Sequence, residues 1–151
     1  MIAIKTISRA CAGCTMCCQG WLTGKAWGHS FYPGQPCGWL GTTGCTIYQN
    51  RPKDPCQTFE CLWKRDLILP DWLRPDKSGV IMKWSVLDSW SFIIAVARRK
   101  NIDARIYDWA NNHANQFKVN MIVPTRSGTW KIYSNDQTFR DRAAEIYIVS
   151  E

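Results

Sequence analysis

The sequence predicts an α+β protein in two parts: a loop-rich, metal-stabilised cysteine module over residues 1–66, then over residues 67–151 a small antiparallel or mixed sheet with one main helix packed against it. Three observations predict it. All eight cysteines of the 151-residue chain lie between Cys11 and Cys61, and none follows. Between them Gly, Pro, Thr and Asn recur with too little periodic apolar character for the segment to fold on burial alone. After Lys77 the texture changes to β-branched and aromatic runs around one stretch of helical periodicity.

In chain order, Met1–Ala10 reads as a short strand leading into Cys11-Ala12-Gly13-Cys14-Thr15-Met16-Cys17-Cys18, a tight loop of two C-x2-C steps sharing a cysteine, with a fourth thiol next door. The Gly, Pro and Trp content of Gly20–Gly38 predicts irregular structure. Residues 37–48 suggest a knuckle and a short extended piece at Thr46-Ile47-Tyr48. Pro52 and Pro55 forbid a regular helix through Asn50–Pro55. Cys56–Lys64 fits a short helix, and Asp66–Lys77 is the boundary between the two parts. Gly79–Trp84 and Trp90–Ala97 read as strands around a turn at Asp88-Ser89. A helix is expected from Asn101 or Asp103 to Gln116, with Ile102, Ile106, Trp109, Ala110 and His113 along one face. Phe117–Pro124, Gly128–Tyr133 and Glu145–Val149 read as three further strands, so the order β-β-α-β-β-β places the helix on one side of the sheet.

The spacing of the cysteines carries the chemistry. A C-x2-C step lets two thiolates reach one ion while the intervening backbone N–H groups turn toward the sulfurs, as in zinc knuckles and iron–sulfur loops. The candidate ligands are Cys11, Cys14, Cys17, Cys18, Cys37, Cys45, Cys56 and Cys61. Adjacent side chains tend to point apart, so Cys17 and Cys18 are expected in different sites. Two tetrahedral four-thiolate zinc sites use every ligand. Iron is the alternative, because Cys11-x2-Cys14-x2-Cys17 has ferredoxin-loop spacing and Cys56 beside Pro55 could serve as the remote fourth ligand. His29 could also replace one thiol.

The same residues resemble a known family. The C-x2-C-x2-C-C opening, Cys37-Gly38-Trp39-Leu40, Gly44-Cys45-Thr46-Ile47-Tyr48 with Arg51-Pro52, and Cys56-Gln57-Thr58-Phe59-Glu60-Cys61 resemble the bacterial cysteine-cluster family described as a zinc- or iron-chelating domain. The resemblance covers roughly residues 8 to 63. It implies metal chelation through these eight positions and names no substrate. Within it, Arg51 and Tyr48 are candidates to neighbour the metal, since a guanidinium beside a dianionic thiolate centre offsets its charge. The plainer reading of Arg51 is a turn arginine.

Composition limits the other classes. Met1–Ala10 has no apolar stretch of ~7–15 residues, which argues against a secretory signal and for a cytoplasmic protein. In that reducing setting, eight cysteines point to metal rather than disulfides. No apolar run approaches the ~18 residues that cross a bilayer, so no membrane partner is expected. The formal charge is +7. Thiolates lower it, since a divalent ion with four of them has a net charge of about −2 and two such sites would bring the chain to about +3. Nucleic acid is therefore a weak expectation, resting on Arg98-Arg99-Lys100 with Arg105 and the dispersed tryptophans; a solvated turn and a tryptophan-rich core explain the same residues. Gly20–Lys25 only superficially resembles a phosphate loop, and zinc-protease, nucleophile-elbow and dinucleotide motifs do not occur. Nothing in the pattern points to an enzyme, with an iron-dependent redox protein as the alternative.

Overall fold

The computed structural model describes residues 23–32, 35–42, 44–53, 56, 61–66, 68–97 and 102–150. The expected strand in Met1–Ala10, the Cys11–Cys18 loop and the basic turn Arg98–Lys100 lie outside these residues, and so do Gln57–Glu60 of the expected Cys56–Lys64 helix.

Where irregular structure was expected, Gly24–Ala26 (β1) and His29–Phe31 (β2) form an antiparallel hairpin. Its two-residue turn is Trp27-Gly28, with positive φ at both positions, 44° and 85°. Positive φ at both turn residues matches the twist of the flanking strands. Gly28 adopts it freely, whereas Trp27 is a residue type that rarely does. A second hairpin follows, Leu40–Gly41 (β3) against Gly44–Cys45 (β4). Tyr48–Asn50 is then a 3-10 turn, so the extended piece expected at Thr46–Tyr48 lies a few residues earlier. Strands this short bury little: the cluster here is Ala26, Phe31 and Cys37, with Trp39 and Cys56 packed against it.

Leu62–Arg65 (α1) is one helical turn that starts after Cys61 and buries Leu62 and Trp63. Pro75–Ser78 (α2) has proline at its first position, where no backbone donor is lost, and ends at Gly79 in the left-handed region with φ 80°. Left-handed glycine is a common helix stop. Both turns pack on the strand that follows. Residues from Cys61 to Leu73 thus share one apolar cluster with that strand.

Val80–Leu87 (β5) and Trp90–Ala97 (β6) pair antiparallel around Asp88-Ser89, as expected. Arg105–Phe117 (α3) crosses over to Asn120–Pro124 (β7), which lies parallel to β6; Trp130–Tyr133 (β8) returns antiparallel. The sheet is mixed, in the order β5-β6-β7-β8. Lys118, left-handed at φ 55°, stops α3 and delays β7, which is why Phe117 ends the helix rather than starting a strand. Among the described residues no helix is long and apolar enough to cross a membrane.

Alternation along the strands feeds two cores. Met82, Ile93, Ala95, Met121 and Val123 pack with Ile106, Ala110 and Ala114 of α3. On the opposite face, Phe92, Ile122 and Ile132 pack with Phe139 and Ala143, which belong to a further helix, Gln137–Ala144 (α4). The sheet is therefore covered on both faces, not on one. The strand expected at Glu145–Val149 is reduced to a single parallel bridge between Trp130 and Val149. Its β-branched residues face water, Ile148 being 76% exposed, so there was no burial to extend the pairing.

The start of α4 is set by Asp136, whose carboxylate accepts from Phe139 N at 3.1 Å and, through its other oxygen, from Trp90 Nε1 at 3.1 Å. Losing an N-cap costs about 0.5–2 kcal/mol. Asp136→Ala is expected to fall in that range by urea denaturation. An unchanged midpoint would show that α4 is held by its apolar face alone.

Candidate metal centre

Cys37 is 7% exposed and opens a tight turn in which Leu40 N donates to Cys37 O at 3.0 Å. Two residues on, Trp39 locks that turn in place. Its carbonyl accepts from Thr46 N and from the Thr46 hydroxyl, at 2.9 and 2.7 Å. Its indole N–H donates to Ala26 O at 3.0 Å. From the other hairpin, Trp27 Nε1 donates to Asn50 O at 2.8 Å. Two indoles thus strap together pieces that are too short to hold themselves.

His29 lies edge-on to Trp39, with ring centroids 4.8 Å apart. A Cβ on Gly38 would come within 2.2 Å of His29 Nδ1, so only glycine fits there while the imidazole keeps its place. His29 is exposed. Cys45 ends β4 opposite Leu40. Arg51 donates from Nε to Tyr48 O at 3.0 Å and from Nη1 to Cys56 O at 3.4 Å, and its guanidinium stacks over the Tyr48 ring at 3.9 Å. It closes the Tyr48–Asn50 turn and also fixes the backbone that carries Cys56.

Three of the described thiols fall into two environments. Cys37 and Cys56 share the small cluster with Trp39, whereas Cys61, 9% exposed, belongs to the main core with Leu62, Trp63 and Leu73. No disulfide joins any two of Cys37, Cys45, Cys56 and Cys61. Among the described residues no three His, Cys, Asp or Glu side chains converge as a metal site would require. The donor chemistry suits zinc or iron, since soft thiols in an apolar setting are their usual ligands. The other four expected ligands, Cys11, Cys14, Cys17 and Cys18, lie outside the described residues.

The other candidates are accounted for by packing. His113 lies between Trp109 and Phe117 on α3, 4.6 Å from each ring. Burial pushes its pKa below the ordinary 6.5, with the Asp66 carboxylate opposing the shift. A histidine held neutral in the fold contributes stability that is fully present above pH 6.5 and is lost as pH falls below it. The melting temperature should therefore drop more between pH 7 and 5 in the native chain than in His113→Leu. Equal drops would remove His113 from the pH response. Arg105, the member of the expected basic surface that is described, pairs with Asp103 at 2.6 Å and stacks over Trp72 at 4.5 Å.

Reasoning from sequence did not pick out Trp27 or the role of the Trp39 indole. An X-Gly pair between short runs was the available signal for the first. No family model, curated protein or solved structure matches the chain.

Proposed function

We propose that the protein binds metal, chelating zinc through Cys11, Cys14, Cys17, Cys18, Cys37, Cys45, Cys56 and Cys61, with iron or an iron–sulfur cluster as the alternative. The observation that carries this reading is the scale of the cluster around Cys37 and Cys56. Among the described residues of this part, three buried residues and strands of two or three residues offer far less burial than a self-supporting fold needs. Metal–thiolate bonds supply the missing stability, because binding free energy at such a site is folding free energy. Arg51, bonded to the Cys56 carbonyl, brings positive charge toward the anionic centre and supports the reading further.

Anaerobic purification followed by elemental analysis tests it. A colourless protein carrying zinc is the expected result. Brown colour with visible absorbance and bound iron would select the iron–sulfur form. A protein without metal that keeps its fold in the presence of a chelator would sink the proposal.

A further inference from the structure

We propose that Arg140 guards the outer edge of the sheet, closing β8 to strand addition by a second copy of this chain. The order β5-β6-β7-β8 leaves β8 last among the described strands, and a terminal strand presents a row of donors and acceptors to any extended chain. Which groups face outward follows from Trp130. Its N–H donates to Ile148 O at 2.8 Å and its carbonyl accepts from Ser150 N at 2.9 Å, so its backbone points away from β7. Pro124, opposite it on β7, has no N–H to offer. Backbone direction alternates along an antiparallel strand, so the Ile132 N–H and carbonyl point outward too, while the Ile132 side chain stays in the second core.

This edge accepts a strand, since the tail already pairs with it at Trp130. At Ile132 a side chain takes over. Arg140 Nη1 donates to Ile132 O at 3.1 Å and to Ser134 O at 3.3 Å, so one guanidinium engages two carbonyls that an added strand would use. The space beside the edge is otherwise open: Gln137, Arg140, Asp141 and Ala144 of α4 line a cavity there with Ile132 and Val149. Antiparallel copies of one edge complement each other donor to acceptor, and such a contact closes as a two-fold dimer. A second copy is therefore the partner that Arg140 holds off.

Light scattering on the purified full chain reads the outcome. The native mass is expected to stay constant as concentration rises, whereas Arg140→Met, which keeps an apolar stem and loses every donor, should approach twice the native mass. Arg140→Lys keeps a cationic donor and should return most of the protein to the native mass. Hydrogen exchange locates the contact, because the Ile132 amide should exchange more slowly in associated Arg140→Met than in the native chain. A purely structural arginine would lower the urea midpoint without moving the mass.

Folded Arg140→Met that keeps the native mass would overturn the proposal. So would association that leaves the Ile132 amide as exchangeable as before, since the contact would then lie elsewhere, or Arg140→Lys that associates as strongly as Arg140→Met. Should Arg140→Met fail to fold, Arg140→Gln, whose shorter side chain cannot span both carbonyls, carries the same test with the same outcomes.

Discussion

Treatment with a strong zinc or iron chelator is expected to unfold residues 23–56 while the four-stranded sheet stays folded. The two hairpins comprise strands of three and two residues, and an isolated hairpin is marginal in water. Among the described residues their shared cluster has Ala26, Phe31 and Cys37 inside. Against this, apparent binding free energies of structural zinc sites reach about 10–16 kcal/mol. The sheet has its own two cores. Hydrogen exchange read by mass spectrometry should show the Gly24–Phe31 and Leu40–Cys45 amides exchanging freely once metal is gone, while those of β5 to β8 remain protected. Protection that persists in the hairpins would mean that the indole straps and the small cluster suffice, and the metal would lose its structural role.

Phe139→Ala should be the most damaging single substitution in the core that α4 forms with the sheet. Its ring is fully buried and lies 6.0 Å from Trp90 at 74° and 5.7 Å from Phe92 at 49°. Removing a buried phenylalanine costs about 3–5 kcal/mol, because the transfer term and the cavity add. The residue is also the first anchor of α4 beyond its cap. Urea denaturation at neutral pH should show a loss in that range, with the metal content per chain unchanged. A loss below about 1 kcal/mol would show that the site collapses without penalty and that α4 contributes little to the second core.

How far the sequence led depended on which residues decide the structure. β6 was legible at both ends because Trp90–Ala97 is a run of buried strand formers bounded by a turn. α3 was legible because Ile106 and Ala110 recur at the helical interval. By contrast α4, with few apolar residues of its own, is fixed by the Asp136 cap and by Phe139 entering a core built from distant strands. No local pattern announces that. The segment Glu145–Val149 misled for the converse reason: its composition favours a strand, but of its side chains Tyr147 packs against the second core while Ile146 and Ile148 stay exposed.

In the candidate centre, the sequence named the thiols and the Arg51–Tyr48 pair. It could not show that Cys37 and Cys56 share an environment that excludes Cys61, since this depends on the Trp39 to Ala26 hydrogen bond across two hairpins. Nor could it foresee positive φ at Trp27, which opposes that residue's own preference.

The crossover through α3 also dictates an order of events in time. β5 and β6 meet across Asp88-Ser89, so their pairing closes almost no loop, whereas β7 can align with β6 only after the whole crossover has been gathered in. Local closures carry the smaller entropic penalty and precede distant ones. The β5–β6 ribbon is therefore expected to form first during refolding, and β8 has no strand to pair with until β7 arrives. Pulsed hydrogen exchange should register protection at Trp84 and Phe92 before Met121; simultaneous protection would mean instead that the crossover condenses together with the ribbon in a single step.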